Sequence, residues 1–312
     1  YDEFMRANVW EVDLGDGPAQ HSYAETIAAW LADDAFRTDA VVRRERLERL
    51  RGEMMAHGVV SPELVAALQG RIVEEFGRDT VMVRVRSSSN AEDGPTFNGA
   101  GLYDSTSACA ADSGPDADPE RSACDPSSEP RPLERGLAKV WSSLWSFGAF
   151  EERDYYRVDH AAIAMGATIS LRYEDELANG VALTGDPVDP RSGRYTVDAQ
   201  AGEVDVVSAT PGVTAELSYL TLAGGEVTAI ERAVASSLVP SGQLVITDDQ
   251  LRELGGLMAE LAAAYPFDFE LEDGTRPILD LEFKIRSDGQ LVIKQIRPFT
   301  PSPYSPDTAC LD

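Results

Sequence analysis

Two widely separated groups of residues in this chain have the types and spacing to work on phosphate. The first is Arg84-Val85-Arg86-Ser87-Ser88-Ser89-Asn90-Ala91-Glu92-Asp93. It comes after a short β-like run, Thr80-Val81-Met82-Val83, and leads into the glycine-rich Phe97-Asn98-Gly99-Ala100-Gly101. Guanidinium groups present paired donors to phosphate oxygens, and hydroxyls with free backbone N–H groups at a strand end add more. The second group lies near the C-terminus. Period-two alternation puts Asp280, Glu282 and Lys284 on one face of a strand, and a following strand carries Lys294-Gln295-Ile296-Arg297-Pro298. A carboxylate and an amide oxygen on paired strands supply the hard oxygen donors that Mg²⁺ prefers. An arginine beside them can hold a terminal phosphate and stabilise charge during transfer. Charges on a hairpin are ordinarily a solvated face, and it is the separate Arg/Ser cradle that makes the pairing specific.

The elements that must position these groups can be read from periodicity. The first 78 residues read as helical. One short helix is expected over 24–31. A second, over 38–55, places Leu47, Leu50 and Met54 on one face. A third starts at the cap Ser61-Pro62, repeats Leu64, Leu68, Ile72 and Phe76, and stops at Gly77. Residues 107–132, rich in Ser, Pro, Asp and Ala, read as a mobile surface loop, because they hold too little apolar surface to offset their ordering entropy. Helix returns over 133–147 with Trp141, Leu144 and Trp145, and a short helix is expected over 150–157. Strands are then expected over 161–171, 180–184, 195–200 and 217–222. A helix lies within 245–264, and a final hairpin, 277–285 with 291–296, turns at Ser287-Asp288-Gly289. The layout is mixed α/β in two lobes, a helical N-terminal part and a strand-rich C-terminal lobe.

Composition narrows the partners. With 27 basic and 54 acidic residues the net charge is −27, which opposes nucleic-acid binding and makes any phosphate site a local cationic island. The three lysines are Lys139, Lys284 and Lys294, so two of them fall in the C-terminal group. No apolar run reaches the roughly 18–20 residues that span a bilayer, and residues 1–20 lack a signal-peptide pattern. None of the cysteines, Cys109, Cys124 and Cys310, has metal-ligand spacing with a histidine. Cys109 and Cys124 bracket the polar loop, and they read either as free thiols or as a disulfide formed in an oxidising compartment.

The two phosphate-type groups are also blocks of a resemblance. Val85 to Asp93, with Phe97 to Gly101 after it, resembles the "VRSSATAEDLP…SFAGQ" segment of the PEP/pyruvate-binding ATP-grasp domain. That domain is shared by pyruvate phosphate dikinase, phosphoenolpyruvate synthase and rifampin phosphotransferase. Val140-Trp141-Ser142-Ser143-Leu144-Trp145-Ser146 with Tyr156-Arg157 is similar to "WASLFS…YR". Ala162-Ile163-Ala164-Met165-Gly166 is similar to "aaMaVlV", and Gly180 to Pro187 to "GVxFTxDP". Gln200-Ala201-Gly202-Glu203 with Val206-Val207 is similar to the family's GE loop. Leu281-Glu282-Phe283 with Gln295-Ile296-Arg297-Pro298 resembles "DIEW…QxRP". Six blocks stand in the family's order across residues 81–300.

The resemblance implies a two-lobed ATP-grasp-like fold, with lobes at 1–158 and 159–300 and a tail at 301–312. It implies ATP and Mg²⁺ as cofactors. Arg86 and Arg297 take the catalytic roles on the ATP phosphates, Arg297 at the terminal one. Ser87, Ser88 and Glu92 shape the phosphate loop, Met165 borders an adenine pocket between the lobes, Lys294 joins the nucleotide contacts, and Glu282 with Gln295 holds the metal. In the full enzymes the phosphoryl group passes from ATP to a histidine on a swivelling domain. His21, His57 and His160 lie outside the phosphohistidine motif, so that histidine is expected on a separate domain or protein. The family's phosphate-binding lysine, in a Gly-Gly-Lys segment, has no counterpart before Lys139. Tyr1-Asp2-Glu3-Phe4-Met5 resembles the piece that comes after that segment, so the chain is expected to begin inside the domain. Two function classes result. One is the ATP-binding domain of a dikinase-type phosphotransferase, and the other a catalytically inactive nucleotide-binding or structural module. ATP use implies the cytoplasm, whereas a Cys109–Cys124 disulfide would imply a secreted or periplasmic chain.

Overall fold

In the computed structural model the described residues are 1–92, 97, 99, 101–173, 175–189, 192–203, 211–267 and 277–299. Asp93, Asn98, Ala100, Val206 and Val207 of the sequence blocks lie outside them, as do the tail from residue 300 and Cys310. The chain divides into two compact units, Tyr1–Arg172 and Tyr173–Asp312. It is mixed helix and sheet, with the helices concentrated in the first part and a six-stranded sheet in the second.

The first unit holds α1 (Asp2–Ala7), β1 (Val9–Asp13), β2 (Pro18–Ser22), α2 (Tyr23–Ala32), α3 (Asp34–Thr38), α4 (Ala40–His57) and α5 (Pro62–Phe76). After these come β3 (Met82–Ser89), β4 (Thr106–Cys109), α6 (Leu133–Ser143), α7 (Phe147–Tyr155) and β5 (Met165–Leu171). The β1–β2 hairpin corrects the all-helical reading of the first 78 residues. Trp10 and Val12 face inward while Val9, Glu11 and Asp13 face out, the alternation of a strand. The Asp13 carboxylate accepts from the N–H groups of Gly15 and Gly17 at 2.8 and 3.0 Å and closes the turn.

The other N-terminal helices obey their sequence signals. Asp39 caps α4 by accepting from Val41 and Val42, and Ser61 caps α5, which ends at Gly77 with φ 76°. Leu47, Leu50 and Met54 are fully buried, as their spacing predicts. The arginines of α4 have a second use that its charge pattern conceals. Arg43, Arg44, Arg46 and Arg49 stack over Phe150, Phe147, Trp30 and Trp10, at 5.6, 3.9, 5.8 and 4.9 Å from the ring centroids. Downstream, Ser146 accepts from Ala149 N–H and starts α7 there, so the single helix expected over 133–147 breaks after Ser143.

The loop reading of 107–132 is corrected at its start. Thr106–Cys109 is a strand in register with β3, and Ala108, Cys109 and Ala110 are fully buried. Polar residues hold the segment beyond Ala110. Buried Asp112 accepts from Ala123 and Arg131 N–H at 2.6 and 2.7 Å. The Gln69 amide donates to the carbonyls of Ala110 and Ser113. Cys109 and Cys124 form a disulfide with Cα atoms 6.0 Å apart. Composition alone could not show that a carboxylate and a covalent bond replace the missing apolar surface.

The second unit is a six-stranded antiparallel sheet ordered β11-β10-β6-β7-β8-β9. Its strands are β6 (Glu176–Leu183), β7 (Tyr195–Ala201), β8 (Glu216–Ala223), β9 (Glu226–Val234), β10 (Ile278–Arg286) and β11 (Leu291–Phe299). Sequence reasoning missed β9, which is largely exposed on both faces and so lacks an apolar alternation. One face of the sheet packs on α8 (Asp248–Ala264), capped by a Thr247/Gln250 box. Leu251, Leu254 and Met258 meet Ala182, Val197, Leu220, Leu279, Leu281 and Phe283 in one apolar core. Gly255 lets the helix sit close, since a Cβ there would strike the side chains of Val227 and Leu220. Among the described residues no helix is long and apolar enough to cross a membrane.

The first unit yields two stability predictions. The disulfide closes a segment of 15 residues, a span for which the chain-entropy model gives about 3 kcal/mol. Reduction, or Cys124→Ser, is expected to lower the unfolding free energy by that order in denaturant melts, and an unchanged midpoint would contradict a structural role. His160 stacks on Phe150 at 3.8 Å with an interplanar angle of 3°. Burial, reinforced by Arg153 and only partly offset by Asp154 and Asp159, pushes its pKa from 6.5 down to about 4. The unfolded chain therefore takes up a proton in that interval that the folded chain refuses. Stability should fall as pH drops from about 6.5 to about 4, with a shallower slope in His160→Gln measured by denaturant titration at each pH.

Candidate functional site

Each unit carries one of the two phosphate-type groups. In the first unit, β3 is the middle strand of the sheet β4-β3-β5. Its odd residues Val83 and Val85 enter the core, so Arg84, Arg86 and Ser88 share the opposite face. Thr168 and Ser170 on β5 and Ser107 on β4 are register partners on that face, which is therefore rich in hydroxyls. The Arg84 guanidinium donates to Ser105 at 2.8 Å and to Ser107 at 3.5 Å. Ser87 is half-buried and Ser88 is exposed at the strand end, where the chain leaves the sheet.

Beyond Ser89 the loop is held from both sides. The Asn90 amide donates to Ala162 O at 3.0 Å and its oxygen accepts from Ala164 N–H at 2.9 Å. These bonds use the backbone just before Met165, which is why β5 starts there and not at residue 161. Glu92 is buried and its carboxylate accepts from Ser89 N–H at 3.2 Å, while its carbonyl accepts from Gly99 N–H at 2.6 Å. Met165 is fully buried in the core of this unit, register partner of Ser89, so its described side-chain contacts are packing contacts.

In the second unit the β10–β11 hairpin supplies the other group, and the alternation predicted for it holds. Leu279, Leu281, Phe283 and Ile285 enter the core on α8's side, and Asp280, Glu282 and Lys284 take the other face. Register sets Asp280 opposite Arg297 and Glu282 opposite Gln295. Between Glu282 and Phe283 the pairing slips by one residue, and Lys294 is the extra residue of that bulge. Strict alternation would send Lys294 to the core face. The bulge instead brings its ammonium to 3.2 Å from the Glu282 carboxylate.

Lys284, Lys294 and Arg297 are thereby each matched to an acid. Arg297 donates through Nε and Nη2 to Asp280 Oδ2 at 2.8 and 2.7 Å. Lys284 pairs with Glu176 on β6. Burial pushes the Asp280 carboxyl above its ordinary range, and the Arg297 guanidinium pulls it back down. Sequence reasoning missed one acidic residue of the face. Asp198 on β7 is register partner of Val181, which pairs with Glu282, so Asp198 lies in the same row, and burial raises its pKa as well. Its signal was the polar interruption of Tyr195-Thr196-Val197-Asp198-Ala199, legible only once the face was known.

The oxygen donors suit Mg²⁺ by type. Glu282 and Gln295 bring a carboxylate and an amide oxygen to opposed positions on paired strands. Asp280 Oδ1 is buried with no hydrogen-bond partner among the described residues. Those residues contain no cluster of three or more His, Cys, Asp or Glu that would hold a metal alone.

Comparison with known proteins adds an independent finding. The family described as "Pyruvate phosphate dikinase, AMP/ATP-binding domain" matches residues 20–309. A curated relative, described as a probable phosphoenolpyruvate synthase of Pyrococcus horikoshii, is 24% identical over 307 residues, covering 88% of this chain and 33% of the relative. The chain thus spans about a third of the length of that protein. The match takes in both the β3 loop and the β10–β11 hairpin, and the chain belongs to the family of pyruvate phosphate dikinase AMP/ATP-binding domains.

Proposed function

We propose that this chain binds ATP with Mg²⁺ as the nucleotide domain of a dikinase-type phosphotransferase. In this reading it delivers a phosphoryl group toward a histidine on a separate swivelling domain. The similarity to a probable phosphoenolpyruvate synthase supports a pyruvate-like final acceptor. The observation that carries the proposal is the hairpin register, with Asp280 opposite Arg297 and Glu282 opposite Gln295.

In this reading Arg86 contacts the ATP phosphates, and Ser87 and Ser88 add hydroxyl and N–H donors at the strand end. Glu92 fixes the loop through Ser89. Arg297 holds the terminal phosphate, Lys294 joins it, Glu282 and Gln295 hold Mg²⁺, and Asp280 is a further oxygen donor. Met165, on β5 beside the loop, borders the adenine. Bound Mg²⁺ would neutralise charge on the β- and γ-phosphate oxygens.

The chain's own residues perform a partner exchange. Asp280 and Arg297 are only 9% and 15% exposed at their side chains, and Arg297 is bound to the carboxylate from which phosphate must draw it. The guanidinium fork suits phosphate and carboxylate alike. A phosphoryl oxygen would replace the carboxylate without leaving the cation unpaired, and the freed Asp280 would be a further oxygen donor for Mg²⁺.

The competing reading is an inactive module that keeps the fold. It is favoured by the same charge balance, because Lys284, Lys294 and Arg297 are all neutralised by acids. ATP–ADP phosphoryl exchange by this chain above background would exclude it.

Calorimetric titration of ATP with and without Mg²⁺ tests the residue roles. Arg297→Ala removes charge-assisted hydrogen bonds to phosphate and should weaken ATP binding by about 10- to 100-fold. Glu282→Gln should abolish most of the gain in affinity that Mg²⁺ confers while leaving metal-free binding nearly intact. Wild-type affinity in both variants would remove the hairpin from the site.

A further inference from the structure

Arg153, on α7, is fully buried, and none of the described residues gives it a carboxylate partner. Burial lowers its pKa. An interior guanidinium is costly, and apolar packing at such a position is often as stable or more so. Its compensation is local. It donates to the carbonyl of Leu144, the C-cap of α6, at 2.6 Å, where the helix dipole places negative charge. The Trp145 ring lies 5.9 Å away. A further bond runs from the guanidinium to the Tyr103 hydroxyl, at 3.3 Å.

Tyr103 in turn backs the phosphate loop. Its ring lies against Gly99 so closely that a Cβ on Gly99 would sit 3.0 Å from it and 3.3 Å from the Cα of Glu92. Gly99 N–H donates to the Glu92 carbonyl, and the Glu92 carboxylate holds Ser89 N–H. An unbroken series of contacts thus runs from Arg153 through Tyr103, Gly99 and Glu92 to Ser89, with Asn90 anchored on the far side.

We propose that Arg153, acting through the Tyr103 hydroxyl, is a positioning residue that sets the Ser87–Glu92 phosphate loop. The inference rests on the reading of that loop as an ATP-phosphate site. The buried cation contributes no contact to substrate. It fixes the tilt of the Tyr103 ring and hence the separation of Gly99 from Glu92.

Tyr103→Phe tests this, because it removes one hydroxyl and keeps the ring. Loss of that charge-assisted bond should raise amide hydrogen exchange at Ser89 and Gly99, and weaken ATP binding, by about fivefold each. Exchange at Val83 and Val85 in the same strand should not change. Arg153→Lys, which keeps the charge without the fork, should reproduce the same local pattern. Unchanged exchange at Ser89 and Gly99 would overturn the proposal, as would a uniform rise that includes Val83 and Val85. If the wild-type chain itself binds no ATP, the phosphate reading fails, and the exchange measurements still decide whether Arg153 sets the loop.

Discussion

Asp280 and Arg297 hold each other across β10 and β11, and that ion pair is the constraint that fixes where the hairpin keeps its guanidinium. With 54 acidic and 27 basic residues, the chain has more carboxylates than cations to pair with them. Register makes the acid the one directly opposite, so the cation is stored in a fixed place and orientation. The same arrangement repeats with Lys294 on Glu282 and Lys284 on Glu176. Each pair is charge-neutral, so the face tolerates partial burial. The apolar face against α8 supplies the rigidity that keeps these pairs in register.

The first unit carries the other phosphate-type group. Arg84 and Arg86 share their strand face with hydroxyls from three strands, and Arg84 donates to two serines. The cost of shaping such a loop is carried outside it, by the Asn90 clamp, the buried Glu92 and the Arg153–Tyr103 contact. Arginines stacked on the four aromatic rings beneath α4, and the Cys109–Cys124 disulfide, brace the surrounding scaffold.

Much of this was legible in the sequence, for identifiable reasons. The helix α5 carries its cap, its proline and its terminal glycine close together in the chain, between Ser61 and Gly77. The hairpin's alternation and its Ser287-Asp288-Gly289 turn determined which face Asp280 and Glu282 take. The features that stayed hidden depend on non-local pairing. The bulge that turns Lys294 outward exists only against β10. The strand Thr106–Cys109 looks like loop because a disulfide and the Asp112 carboxylate replace the apolar surface a strand normally shows. Asp198 belongs to the acidic row only through the order of three strands, and the hairpin β1–β2 was obscured by helical neighbours on both sides.

ATP binding at the β10–β11 hairpin, through the opposed pairs Asp280–Arg297 and Glu282–Gln295, is the central proposal. Backbone amide NMR of the isotopically labelled chain during titration with a non-hydrolysable ATP analogue and Mg²⁺ tests it directly. Saturable shifts of the Glu282, Gln295 and Arg297 resonances are expected, weakened in Arg297→Ala. Hairpin resonances that stay in place throughout the titration would contradict the proposal.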